Sequence, residues 1–314
     1  MRVFGLDTSN YTTSAALFDG WEGENQSRLL EVRAGELGLR QSEALFQHVK
    51  RLPEIVSLLL GNSGAEIQAV GASTRPRAVE GSYMPCFLAG ASQGQVLAQV
   101  LGVPFYAFSH QQGHLAAAAW SAGRMDLLDR PFLAWHLSGG TTELLWVEPE
   151  EDGVAVRAEI LGGTSDISAG QLIDRAGVLL GLQFPAGKAL DTLYSQADTC
   201  QGYRVKQKDL KFSLSGMENQ VNRLHQGGEK PANIARFVLD TVIQVVLRVT
   251  QEAQARYPGL PVLCSGGVAS NSQLRAALTQ SCGALFAQPQ YAADNAMGIA
   301  VLTWRALERR RQTK

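Results

Sequence analysis

The sequence is short of cysteine, of net charge and of long apolar runs, and each shortage excludes something. Four cysteines occur in 314 residues: Cys86, Cys200, Cys264 and Cys282. None forms a CxxC pair, so neither a zinc finger nor a disulfide scaffold is expected. Free thiols in a reducing cytoplasm are the simplest reading. Lys and Arg number 28 against 29 Asp and Glu, a net charge of -1. Such a chain is no general polyanion binder, and an RNA partner would need a local patch or a helper protein. Two basic stretches stand out: Arg204, Lys206, Lys208 and Lys211, and the tail Arg305, Arg309, Arg310, Arg311 and Lys314. For the tail the plain reading is a solvated helix end, where positive charge suits the dipole. No apolar run approaches a membrane span. The opening MRVFGLD lacks the charged and apolar regions of a signal peptide. A cytoplasmic protein off the membrane is therefore expected. GxxxxGK[ST] and GxGxxG are both absent, which disfavours a Walker-type NTPase and a Rossmann dehydrogenase.

What is present points to an α/β protein. The length favours two subdomains, and strands alternate with helix-period segments. Strands are expected over 2–7, 13–18, 67–72, 104–108, 131–137, 143–147, 154–160 and 262–264. Helices are expected over 43–60 (stopped by Gly61-Asn62), 88–101, 110–120, 169–182, 234–255, 271–278 and 294–311. Residues 183–213 read as loop-rich. Two strand-turn-strand units, GLDTSNYTTSAALF and HLSGGTTELLWV, look like one motif used twice. That repeat suggests two related halves facing a central cleft. The division is placed at 1–115 and 116–314, with the last helix packing back on the first half.

Three polar turns follow expected strands: Thr8 to Thr13, Ser138 to Thr142, and Ser265 to Asn271. Small residues let backbone N–H groups approach phosphate oxygens, and hydroxyls add donors. Hairpins also favour Gly and Ser, so one such turn alone is only structural. His110 and His114 are a sharper signal. Spacing of i, i+4 on a helix puts both imidazoles on one face, within reach of one metal ion. The bland alternative is a pair of surface or cap histidines. The pattern is not HExxH, because Gln111 follows His110. Asp294 reads either as an ordinary N-cap or as a third, oxygen ligand; a His-His-carboxylate set suits iron, zinc or manganese. Asp166 and Asp174 read as holders of Mg²⁺ or ribose hydroxyls, or as a helix cap and a charge partner.

Taken together, MRVFGLDTS, HQQGHLAAA, LSGGTTEL, DISAGQLIDRAGVLLGLQFPAGKALD, KFSLSG, CSGGVASNSQLR and ADNAMGIA resemble, in that order, the tRNA adenosine threonylcarbamoyltransferase family. The resemblance implies an ASKHA (actin/hexokinase-like) fold. It implies Fe²⁺ on His110, His114 and Asp294. It implies an adenine nucleotide or adenylate, with or without Mg²⁺, on Leu137, Ser138, Gly139, Gly140, Thr141, Asp174, Gly187 and Asn271. Thr8, Ser9 and Asp166 would serve the transfer of threonylcarbamoyl from its adenylate to N6 of a tRNA adenosine. The partners implied are tRNA, the threonylcarbamoyl-adenylate synthase, a TsaB-like paralogue and a TsaE-like ATPase. The chain departs from the family pattern at four places. Asn10, Tyr11 and Thr12 stand where a Cys and two acidic residues are usual. Gln112 replaces a Glu, Thr141 a His, and Ile167 the second of two Asp. These losses leave room for a paralogue that carbamoylates a small molecule, or for a non-catalytic subunit. The family's older protease label lacks an activated Ser or Cys with a paired base.

Overall fold

The computed structural model describes residues 1–9, 11–32, 39–61, 66–198 and 203–313. Asn10 of the first turn, Asn62 of the helix stop, Cys200 and Lys314 of the basic tail lie outside the described residues. The elements run β1 (Arg2–Thr8), β2 (Thr12–Phe18), β3 (Gly23–Leu29), α1 (Gln41–Leu60), β4 (Ile67–Arg75), α2 (Phe87–Leu101), β5 (Phe105–Ser109) and α3 (His110–Ser121). They continue with β6 (Phe132–Leu137), β7 (Thr142–Pro149), β8 (Val156–Thr164), α4 (Ala169–Leu179), α5 (Gly187–Tyr194), β9 (Gln207–Lys208), β10 (Lys211–Phe212), α6 (Ser215–Gln226) and α7 (Pro231–Arg256). The chain closes with β11 (Val262–Ser265), α8 (Ser272–Cys282), β12 (Leu285–Phe286), α9 (Pro289–Ala292) and α10 (Met297–Gln312).

The chain forms two units. The first holds Met1–Arg130, Glu148–Arg157 and Asp294–Lys314, and the second Pro131–Val147 and Ala158–Ala293. The break at 115/116 suggested by the sequence falls inside α3, whose hydrogen-bonded turns run on to Ser121. The division lies at Arg130 and Pro131 instead.

Each unit is built on one sheet. In the first the strand order is β3-β2-β1-β4-β5, with β1 antiparallel to β2 and parallel to β4. In the second, β8-β7-β6-β11-β12 repeats that order, and β10 and β9 extend it beyond β8. The two turns seen in the sequence occupy equivalent places: Thr8 pairs with Thr13 across the β1–β2 turn, and Leu137 with Thr142 across the β6–β7 turn. This is the ASKHA arrangement.

Residues of β1 and β2 are buried on both faces, which explains their near-continuous apolar runs. Phe4, Leu6 and Val70 pack on one face against Leu52 and Ile55 of α1. Helix α10 packs against β1 and β4 and also against α3. Its approach to α3 requires glycine: a Cβ at Gly298 would lie 1.7 Å from the Gly113 carbonyl oxygen. In the second unit Trp135, Ile173, Val242 and Val246 share one core, and the Trp135 indole N–H donates to Thr250 Oγ1 at 2.9 Å.

The structure holds elements that the sequence reading did not contain, the short β12 and α9 among them. The stretch 183–213 contains α5, β9 and β10; the two strands are only two residues long and show no period. Strand β3 was not expected, because GENQSRL lies at the sheet edge with most side chains exposed. Helix α6 was missed as well, being polar on most of its surface.

Candidate metal and nucleotide sites

Helix α3 opens on Ser109, whose side chain accepts the Gln112 N–H while the Gln112 side chain accepts the Ser109 N–H. This capping box sets His110 in the first turn and His114 one turn on. Their Nε2 atoms stand 2.9 Å apart. Asp294, just before α10, brings its Oδ1 to 3.2 Å from His114 Nε2 and 3.6 Å from His110 Nε2. Donors each about 2.1 Å from one ion lie about 3.0 Å apart at a right angle and about 3.4 Å apart at the tetrahedral angle. The three separations bracket those values, so the donor set fits one metal ion.

The support behind the ligands is equally specific. His110 Nδ1 meets Asp7 Oδ2 at 2.8 Å, a carboxylate behind the imidazole that turns Nε2 inward. The other Asp7 oxygen accepts the Ser9 N–H at 3.0 Å. Asp294 Oδ2 accepts the hydroxyls of Ser9 at 3.3 Å and Thr12 at 3.4 Å. Two imidazole nitrogens this close share either a proton, in an N–H···N hydrogen bond, or a metal ion. Burial opposes charge on His110, but the carboxylates of Asp7 and Asp294 outweigh it and raise its pKa to about 10. Burial likewise opposes charge on Asp294, yet the two imidazoles hold its carboxyl well below the usual range. The pocket is thus built for positive charge.

Several expected residues do other work. Thr8 is fully buried; its hydroxyl donates to the Cys86 carbonyl and accepts the Gly90 N–H. It ties α2 to β1 and has no capacity left for a leaving group. Asp294 is not a helix cap, since the N-cap of α10 is Ala296. Asp166 is not the cap of α4 either; Ser168 fills that place in a capping box with Gln171. Asp166 instead gathers the Ser213 hydroxyl and the N–H groups of Leu214 and Ser215, anchoring the segment that leads into α6. Gln112, in place of the usual Glu, donates to Glu150 Oε1 at 2.8 Å and to the Val156 carbonyl at 3.1 Å.

In the second unit, Gly139, Asp174, Gly187 and Asn271 line one cavity of about 500 Å³. Ser138 and Thr141 close the β6–β7 turn on each other: Ser138 N–H donates to the Thr141 carbonyl, and Thr141 N–H to Ser138 Oγ. Gly140 lies within that turn, while Leu137 is buried in β6. Asp174 accepts the Ala186 N–H at 2.9 Å, shaping the cavity wall. Asn271 caps α8 with Oδ1, and its Nδ2 is buried with no hydrogen-bond partner. An orphaned buried amide at a cavity wall is what a bound acceptor would satisfy. Lys188 and Asp191 also line this cavity. Their positions after the Pro-Ala-Gly turn were the available signal, and only the fold shows them facing it. Asp7 was hidden in a strand of apolar residues.

An ASKHA fold carrying a His-His-Asp cluster backed by a carboxylate defines the class. Solved structures with this fold include component A of the (R)-2-hydroxyglutaryl-CoA dehydratase of Acidaminococcus fermentans, at TM-score 0.58 and 14% identity over 98% of this chain and 99% of that one. The ROK hexokinase of Thermus thermophilus matches at TM-score 0.57 and 14% identity, over 98% and 99%. Sequence narrows the class. The model of the TsaD family, tRNA N6-adenosine threonylcarbamoyltransferase, matches residues 33–301. A Thermus thermophilus protein of that name is 32% identical over 98% of this chain and 94% of its own length. One from Streptococcus pneumoniae is 29% identical over 87% and 82%. The chain belongs to the tRNA N6-adenosine threonylcarbamoyltransferase family.

Proposed function

We propose that this protein transfers a threonylcarbamoyl group from threonylcarbamoyl-AMP to N6 of a tRNA adenosine, with a metal ion on His110, His114 and Asp294. The observation that carries the reading is the convergence of those three donors with Asp7 behind His110. Fe²⁺ is the favoured ion, with Zn²⁺ or Mn²⁺ as substitutes of compatible chemistry. When bound, it supplies positive charge that polarises a carbonyl or phosphate oxygen.

The reaction forms a bond from N6 to the carbamoyl carbon, breaks the bond from that carbon to the phosphate oxygen, and releases AMP and one proton. The donor is already activated, so the protein's task is orientation. Asp7 and the Ser9 and Thr12 hydroxyls hold the ligands in register. The adenylate is assigned to the cavity of Gly139, Asp174, Gly187 and Asn271, where Asn271 Nδ2 offers an unused donor.

The partners proposed are tRNA, the adenylate synthase, a TsaB-like paralogue and a TsaE-like ATPase, in the cytoplasm. Exposed apolar side chains on α1 and α2, Phe46, Val96 and Val100 among them, support a protein partner. No helix among the described residues is long and apolar enough to cross a membrane. Among the described residues no thiol is activated: burial pushes the Cys86 thiol up to about 11 and raises those of Cys264 and Cys282 as well.

A second reading, a small-molecule acceptor, draws on the β1–β2 turn. Thr12 stands there in place of an acidic residue and spends its hydroxyl on Asp294. Complementation separates the two. The native transferase is depleted in a bacterium, this chain is expressed with its cognate partners, and threonylcarbamoyladenosine is quantified in digested tRNA by mass spectrometry. Return of the nucleoside, lost again in His110→Ala and Asp294→Ala, supports the transferase. Soluble protein without the nucleoside sinks it in favour of the small-molecule acceptor or a non-catalytic subunit.

A further inference from the structure

Helices α3 and α10 both begin near the metal cluster and end at a second feature of the first unit. There, Trp21, Trp120 and Trp304 line an open groove of about 850 Å³ together with Arg305, Arg309 and Gln312. The groove lies roughly 18 Å from the cluster, the length of α3 at about 1.5 Å per residue. Its aromatic floor is built in. The rings of Trp120 and Trp304 meet Phe18 edge-on at 5.9 and 6.1 Å. Trp304 lies so close to the β2–β3 turn that a Cβ at Gly20 would sit 2.6 Å from its ring, and Gly20 has a φ of +104°. Trp21, on that same turn, is 88% exposed.

The charges around these rings are not balanced. The Asp129 carboxylate is spent on Arg305 at 2.6 Å, and that of Glu308 on Arg311 at 3.0 Å. Arg309, which lies over Gly153, forms no ion pair among the described residues. The free groups are therefore donors and a cation beside flat apolar faces. A ligand that alternates flat rings with anions fits this chemistry, and that is a nucleic-acid strand. An acidic peptide would supply the charge without the rings.

We infer that this groove is an RNA contact outside the catalytic centre, stacking an unpaired base on its indoles and seating a flanking phosphate on Arg309. The inference rests on the tRNA reading of the chain and names a second part of the same substrate.

The test is fluorescence and filter binding with the full chain at low salt. The probes are a single-stranded oligoadenylate twelve-mer, unmodified tRNA, and an acidic proline-containing peptide. Three of the five tryptophans line the groove, so the oligonucleotide should quench indole emission. Trp21→Ala should weaken RNA binding roughly tenfold, the scale of one lost base stack. Trp21 buries little of its side chain, so the variant should keep its fold, and circular dichroism checks that. Arg309→Ala should lower the slope of log affinity against log salt by about 0.7, for one single-strand phosphate. Metal content should not change in either variant. Affinities within twofold of the parent in both variants overturn the inference, as does no RNA binding by the parent, or quenching by the peptide alone. Threonylcarbamoyladenosine formation is a separate readout: RNA binding through the groove without that product leaves this inference standing while the transferase reading falls.

Discussion

Asp7 shows how one side chain governs a site it does not enter. It touches no other acid of the cluster, yet it sets the tautomer and rotation of His110 through a 2.8 Å contact. Carboxylates placed behind metal-binding imidazoles carry about 10- to 100-fold in metal affinity. Asp7→Ala is therefore expected to weaken Fe²⁺ or Zn²⁺ binding by that factor while the fold survives, as measured by titration calorimetry and circular dichroism. Gln112 makes the opposite point. It departs from the family pattern, and the structure shows the departure is satisfied: its amide donates to Glu150 and to the Val156 carbonyl. Gln112→Glu, although it restores the family residue, removes both donors and places a second buried carboxylate beside Glu150. Burial already raises the pKa of Glu150. A loss of about 2–4 kcal/mol in unfolding free energy is expected in denaturant titration; unchanged stability would show that the amide donors contribute nothing.

At the scale of elements, the His-His-Asp cluster depends on how closely α10 crosses α3. His110 and His114 ride on one helix and Asp294 precedes the other, and Gly298 against Gly113 sets their separation. Gly298→Ala places a methyl where the Gly113 carbonyl oxygen already is. The helices must then part, at a cost of about 2 kcal/mol or more. The expected outcome is a lower melting temperature together with loss of bound metal. A variant that melts lower but still binds metal like the parent would show that the crossing does not set the site. Helix α1 carries a quieter device. His48 is fully buried, with Nδ1 2.8 Å from Thr13 Oγ1 and Nε2 without a partner.

Burial of His48 bears on the stability of the whole molecule. It lowers the folded pKa from 6.5 to about 4, with the Ser9 backbone and Asp7 only partly opposing. The unfolded chain then takes up a proton at His48 near pH 6.5, whereas the folded chain does so only near pH 4. This contribution is present in full above pH 6.5 and is lost as the pH falls towards 4, on the order of 3 kcal/mol. Parent and His48→Gln should therefore differ in the pH dependence of unfolding across that window, the variant being the flatter. Identical slopes would mean that His48 is not held neutral. The repeated strand order of the two sheets is the other molecular-scale feature, and it was visible in the sequence because two polar turns each follow an apolar strand.

The sequence by itself determined the α/β class, the two hairpins, the histidine pair and the family. Those features are local: strand period, helical i, i+4 spacing and ordered motif blocks can all be read along a single chain. It also carried Asp294 as an oxygen donor, but left it undecided between ligand and cap. Only the tertiary structure brought Asp294 across some 180 residues to His114, set Asp7 behind His110, and turned Thr8 and Asp166 to internal anchoring. It alone moved the division from 115/116 to the chain beyond α3 and gathered three distant tryptophans into one groove. The reason is physical. A side chain's partners depend on which backbones can approach, and Gly113 against Gly298 is a contact between segments with no common period.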